Sequence, residues 1–376
     1  MIDFYNPTHI YFTSYENIGI LIRKYGFSKV VLLCGSSYLK SSGILNAGHI
    51  LVASDYTGLR TSDILDNILN KLKETNIISY VYSGITANPD LKNVEEALSL
   101  TKEVKPDLLL AVGGGSVLDL AKSVANNFYY DGVILDFNKK KTMPTKALPL
   151  ATIITIAASG SEMSSSCVIS DRKTNFKGGF NSPTNYPLFS ILDASLTKSV
   201  SEFQTCCGLV DIISHSFERY FCKSEEYQVC DLFALGVIRN IVDLTPKLLM
   251  NLNDEDLRKA MMETGSVSHN GFTSFGKVTS MPCHFVEHLI SGKYPEIAHG
   301  LGLSWLLGPF MRRNYEVLKD KIKKFGHFVF DEDDPKVALD KFDEYINSLP
   351  FNKTMEDFSI TSTEKEYYLS LLKPAL

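Results

Sequence analysis

One segment of this chain leaves little freedom in what can be built around it. Asp107, Leu108, Leu109, Leu110, Ala111 and Val112 run directly into Gly113, Gly114, Gly115 and Ser116, after which Val117 to Lys122 start a helix. The apolar run reads as a strand buried on both faces, as in a parallel sheet. Glycines at the strand-to-helix turn let the backbone approach a ligand, and the helix start offers unpaired N–H groups and a dipole that suit phosphate. In open α/β sheets, ligands collect at such carboxyl ends of strands. The glycines are contiguous, unlike the spaced dinucleotide fingerprint, and no Gly-Lys-Ser/Thr follows as in a Walker loop. A tight structural turn is the competing reading; the position between strand and helix favours phosphate.

The surrounding chain repeats the same alternation. Lys29 to Gly35 reads as a buried strand that ends in a polar loop. A second strand is expected at 80–84. The loop Ala87-Asn88-Pro89-Asp90 then leads to a helix from Leu91, with Val94, Ala97, Leu98 and Thr101 along one side, ending before Pro106. Residues 148–155 form another strand feeding the turn Ser159-Gly160-Ser161-Glu162, and 188–193 close this half. Beyond Ser199 the pattern turns helical, with helices expected over 207–220, 227–251, 256–268 and after His299. A chain of 376 residues holds two cores. The expected fold is an α/β N-terminal dinucleotide-binding domain with a parallel sheet (1–199), followed by an all-α C-terminal domain (200–376).

Composition narrows the function. A net charge of −5 argues against a nucleic-acid surface, which is normally basic. No run of eighteen apolar residues exists, so no membrane span is expected, and the first residues lack the pattern of a signal peptide. The seven cysteines include adjacent Cys206 and Cys207 and show no finger-like CxxC spacing. That usage fits reduced thiols and a cytoplasmic location.

Three of the eight histidines, His284, His288 and His299, fall within sixteen positions. His284 and His288 share a helix face, as do Asp211 and His215, also four apart. A carboxylate and several imidazoles on two helices can close around one divalent cation. Periodicity alone does not say which of the histidines take part. His269 has no paired ligand nearby and is expected outside the site; His9, His49 and His327 are expected at the surface.

Together these residues resemble the iron-containing (group III) alcohol dehydrogenases, closest to the NADP-dependent butanol dehydrogenase and aldehyde reductase branch. Asn88-Pro89 and the run from Leu108 to Asp119 resemble the family's pyrophosphate segment. The stretch from Thr155 to Met163, with Ser159, resembles its second cofactor signature, and Lys177 matches a lysine lining the cofactor cleft. Asp211 to Glu218 resemble the helix with the first two metal ligands, and His284, Glu287, His288 and His299-Gly300 resemble the closing signature. The resemblance covers residues 28–305. It implies a dehydroquinate synthase-like, group III dehydrogenase fold, with Asp211, His215, His284 and His299 binding one Fe2+ or Zn2+ and His288 beside the substrate. Fifteen steps separate His284 from His299 where the family has fourteen, which places a one-residue insertion at Tyr294-Pro295-Glu296.

The implied reaction is metal-assisted hydride transfer between a nicotinamide cofactor and an aldehyde or primary alcohol, with His288 relaying the proton. NAD-preferring relatives carry an acidic residue in the loop after the first strand. Here Gly35, Ser36, Ser37 and Lys40 offer no carboxylate, which leans toward NADP(H) over NAD(H). A homodimer is expected. Two rival enzymes share the architecture: a glycerol dehydrogenase-like polyol oxidoreductase, and a dehydroquinate synthase-like lyase that also holds a nicotinamide and a metal. A regulator that merely binds dinucleotide is disfavoured because all four ligand positions are filled.

Overall fold

A computed structural model describes residues 4–35, 61–222 and 229–374. Six strands form one sheet: β1 (His9–Phe12), β2 (Lys29–Gly35), β3 (Ile78–Ile85), β4 (Leu108–Gly113), β5 (Leu150–Ile154) and, after a hairpin, β8 (Phe189–Leu192). Their order is β1-β8-β5-β4-β2-β3, and every neighbouring pair is parallel. The helices of this half are α1 (Ile18–Lys24), α2 (Thr61–Glu74), α3 (Leu91–Val104) and α4 (Gly115–Asn127). Val30, Val31, Leu32, Leu33 and Leu108 to Ala111 are wholly inaccessible. Both faces of β2 and β4 are thus covered, as their unbroken apolar runs require. Helix α3 buries Val94, Ala97, Leu98 and Thr101 and stops at Lys105, whose left-handed conformation ends it one residue before Pro106.

The hairpin of β6 (Ser166–Asp171) and β7 (Phe176–Asn181) is antiparallel and stands outside the main sheet. Sequence patterning did not anticipate it, nor β1. β7 carries Gly178 and Gly179 and leaves most of its residues half-buried, so neither alternation nor an apolar run marks it. It packs against the helix Pro282–Lys293 of the second half.

After Leu192 no further strand occurs among the described residues. The second half comprises α5 (Glu202–Tyr220), α6 (Val229–Met250), α7 (Glu255–Ser268), α8 (Pro282–Lys293), α9 (His299–Arg313), α10 (Tyr315–Phe330), α11 (Pro335–Ser348) and α12 (Ser362–Ser370). Ser201 caps α5 by accepting from the Gln204 amide. From Thr205 to Tyr220 every residue of α5 is buried, so this helix is the axle on which α6, α7 and α9 pack. No helix is long and apolar enough to cross a membrane.

Candidate metal and nucleotide site

The carboxyl ends of β3, β4 and β5 open into a cavity of about 1160 Å³ that continues between α5, α8 and α9. Helix α5 presents Asp211 and His215 to it, α8 presents His284 and His288, and the first residue of α9 is His299. That residue reaches the site because α9 meets α5 backbone to backbone. A Cβ at Gly300 would lie 2.1 Å from the Cys207 carbonyl oxygen, so only glycine permits the approach.

Asp211 Oδ1 sits among three imidazoles: His215 Nδ1 at 3.5 Å, His284 Nε2 at 3.6 Å and His299 Nε2 at 3.8 Å. Asp211 Oδ1, His215 Nδ1 and His284 Nε2 are buried with no hydrogen-bond partner. Atoms about 2.1 Å from a central ion at tetrahedral corners lie about 3.4 Å apart, close to these spacings. The donor atoms of Asp211, His284 and His299 form one compact group, and those of Glu287, His288 and His299 a second. The residues present therefore fit a divalent cation, and the orphaned polar atoms have that as their physical explanation.

The other ring nitrogens separate the two groups. His284 Nδ1 pairs with Glu218 Oε2, and Glu218 also accepts from the Cys283 and His284 backbone amides. His299 Nδ1 pairs with Glu287 Oε2. Each histidine thus has a buried carboxylate behind it that turns Nε2 toward Asp211, the arrangement typical of metal-binding imidazoles. Glu287 also accepts from Lys177 Nζ at 3.2 Å, and Lys177 donates to Asn88 Oδ1 at 2.9 Å and Ser291 Oγ at 2.8 Å. Burial pushes the Glu287 carboxyl up, but His299 and Lys177 outweigh it and hold it far below the usual range. Burial pushes His284 down, but Glu218 and Asp211 raise it to about 9. Burial, then Lys177, lower His288 well below the ordinary histidine range.

On the sheet side, α4 begins at Gly115 with Gly114 as its cap. A Cβ at Gly115 would meet Ser159 Oγ at 2.4 Å, so glycine lets the two turns close on each other. Lys122, wholly buried, donates to Ser161 O and Oγ, Ser164 O and Ser166 O at 2.7–3.0 Å. Asp119 accepts from Ser161 Oγ at 2.8 Å and the Val168 amide at 2.9 Å.

The family model for iron-containing alcohol dehydrogenase matches residues 44–194, and the C-terminal model of the Fe-containing alcohol dehydrogenase family matches 205–370. The probable NADH-dependent butanol dehydrogenase 2 of Bacillus subtilis is 33% identical over 373 residues, spanning 96% of this chain and 90% of that protein. The chain belongs to the iron-containing alcohol dehydrogenase family. Further relatives include the Escherichia coli NADPH-dependent aldehyde reductase YqhD, 27% identical over 75% of this chain and 73% of that protein. The crystal structure of NADH-dependent butanol dehydrogenase A from Thermotoga maritima superposes with a TM-score of 0.88 at 29% identity, covering 99% of this chain and 90% of that one. This alcohol dehydrogenase is an oxidoreductase that works with a metal and a nicotinamide cofactor on alcohols or aldehydes.

Within the dehydrogenase the expected cofactor residues separate. Asn88, Gly114, Gly115, Ser116, Asp119, Ser159 and Lys177 line the cavity. Gly113, Thr155 and Gly35 are not among its lining residues. Gly113 is the last residue of β4 and stands 2.6 Å (as a notional Cβ) from the Val117 side chain, where it makes room for the helix turn. The Thr155 amide donates to the Gly113 carbonyl, which keeps that residue in the sheet margin. Gly35 is buried at the end of β2. Ser36, Ser37 and Lys40 lie outside the described residues, as does His49. Asp119 has both carboxylate oxygens committed inside the protein, so it braces the second turn.

His269 corrects an expectation. Its ring lies 3.9 Å from that of His215, its Nδ1 is 2.8 Å from the Ser159 carbonyl, and it lines the cavity. Nothing in its local spacing signals this, because the contact joins α7 to α5. His9 and His327 are exposed, as expected. Glu218 and Glu287 do carry a local signal, lying seven residues after Asp211 and three after His284 on the same helix faces. Of the loop Tyr294-Pro295-Glu296, Pro295 and Glu296 line the cavity, and Asn88 Nδ2 donates to the Pro295 carbonyl at 3.1 Å.

Proposed function

We propose that Asp211, His215, His284 and His299 hold one divalent ion, iron or zinc, and that His288 faces the substrate. The single observation that carries this reading is the convergence of three imidazole nitrogens on Asp211 Oδ1 without a hydrogen bond among them. When bound, the ion supplies Lewis-acid polarisation of a carbonyl oxygen and the nicotinamide supplies the hydride. Glu218 and Glu287 fix the ring orientations of His284 and His299, so the donor atoms need no rearrangement. His288, beside His299 and lining the cavity, moves the proton at a ring nitrogen. Gly114, Gly115, Ser116 and Ser159 cradle the cofactor phosphates, with Asn88 and Lys177 along the same cleft. The division near residue 200 then puts cofactor and metal on opposite walls.

Replacing His284 by Ala is expected to empty the metal site. Replacing His288 by Asn should leave metal bound and slow turnover by about 10²–10⁴-fold, the usual range for a positioned acid-base group. Elemental analysis of each purified variant beside its kcat checks both; metal loss in the His288 variant would reverse the assignment.

For the cofactor, the reading keeps NADP(H) ahead of NAD(H), because the stretch with Ser36, Ser37 and Lys40 has no carboxylate to repel a 2′-phosphate. The names of the Bacillus subtilis relatives point to NADH, and that of the Escherichia coli relative to NADPH. The ratio of kcat/KM for NADPH and NADH with butanal decides between them, and Ser36→Asp should swing it toward NADH. An unchanged ratio in that variant would remove the loop from cofactor choice. The same reading has the enzyme acting as a cytoplasmic homodimer, which sedimentation equilibrium checks as to assembly.

A further inference from the structure

Arg219 is a feature of the cavity to which hydride transfer gives no task. It lies one turn beyond His215 on α5, is 5% exposed, and lines the cavity. Its Nη1 donates to the His215 carbonyl at 3.0 Å and the Ser268 carbonyl at 3.1 Å. Its Nε and Nη2 have no acceptor among the described residues, and no carboxylate stands within ion-pair distance. The neighbouring Glu218 is committed to His284 and the Cys283 amide. Arg258 makes the contrast. It is equally buried but away from this cavity, and its Nε, Nη1 and Nη2 each meet an acceptor: the Leu252 carbonyl, Thr205 Oγ1 and the Val200 carbonyl.

A guanidinium out of water and without a counter-charge is costly, so a buried one is normally paired. The unmatched edge of Arg219 is the side-on edge, Nε with Nη2, which presents parallel N–H groups to a planar carboxylate. Tyr186 and His269, which feel the charge of Arg219, line the same cavity.

We propose that Arg219 supplies the counter-charge for a carboxylate on the substrate, so that the enzyme prefers an aldehyde acid or hydroxy acid over an uncharged aldehyde. This rests on the hydride-transfer reading of the same cavity and names its substrate class. Burial pulls Arg219 down to about 10, and the charges of Glu218 and Asp211, neither of which pairs with it, offset that only in part.

The test compares 4-oxobutanoate with butanal at fixed ionic strength in the metal-loaded wild type and in Arg219→Gln and Arg219→Lys. Binding of butanedioate, which cannot react, is followed by calorimetry in the same proteins. The wild type is expected to favour 4-oxobutanoate in kcat/KM by at least about tenfold. The ratio should fall about tenfold to hundredfold in Arg219→Gln, the range for losing a charge-assisted hydrogen bond in a closed site. Arg219→Lys keeps the charge and drops the fork; it should fall less and, should the Gln variant not fold, carries the test alone. Butanedioate should bind the wild type and lose affinity in the variants. A selectivity ratio or butanedioate affinity unchanged by the substitutions overturns the proposal while turnover of butanal leaves the dehydrogenase reading standing. Arg219-dependent butanedioate binding with no turnover of either aldehyde supports the anion site and overturns the hydride-transfer reading instead.

Discussion

Glu287 shows how much one buried side chain carries here. It is wholly inaccessible, pairs with His299 and Lys177 through one oxygen, and lies against Gly302 of α9. Changing it to Gln preserves the shape and removes the charge, leaving Lys177 without its counter-ion and His299 free to turn. The expected result is metal affinity reduced about 10–100-fold, the usual effect of losing such a supporting carboxylate. Competition with a chelator measures it, and metal retention equal to wild type would show that His299 is held by packing alone. At this scale the sequence was legible where chemistry repeats at helical spacing: Asp211 with His215 and His284 with His288 stand out as pairs. His269 was not legible, because only the packing of α7 on α5 brings its ring to His215. Arg219 was equally silent. A lone arginine in a helix reads as surface charge until the fold shows that both its flanks are buried.

Helices α5 and α9 cross where Gly300 meets the Cys207 carbonyl, and that crossing sets the position of His299. A methyl at 300 would overlap backbone, which cannot rotate away. Gly300→Ala is therefore expected to destabilise by about 1–3 kcal/mol, as overpacking does, and to lower metal content with it. Gly236, exposed in α6, has nothing within 4 Å of a notional Cβ. Gly236→Ala should instead stabilise by about 0.5–1 kcal/mol through helix propensity. Urea unfolding of the pair separates a steric requirement from a general effect of adding Cβ; equal shifts would contradict the argument. Elements were legible in proportion to how fully they are buried. β2 and β4, apolar throughout, stand out as strands in the chain, whereas β7, half-exposed and with two glycines, does not. Its place is fixed by partners distant in sequence, among them α8, where Lys177 meets Ser291.

Across the whole molecule, the proposed ligation at Asp211 would make stability depend on the ion. Anything bound by the native state alone stabilises in proportion to the logarithm of its concentration over Kd, about 4 kcal/mol at a thousandfold excess. Chelation is expected to lower Tm by several degrees, and stoichiometric Fe2+ or Zn2+ to restore it; a Tm indifferent to chelator, with metal shown to have left, would sever the link. The arrangement of the sheet carries a consequence of another kind. Among the described residues, β1 at His9–Phe12 pairs only with β8 at Phe189–Leu192. During synthesis at 5–20 residues per second, the first strand emerges roughly 10–40 s before the one it pairs with. β5 meanwhile waits with the edge that β8 will cover. A nascent chain therefore carries unpaired strand edges until residue 192 is clear of the ribosome, an interval that lengthens as elongation slows.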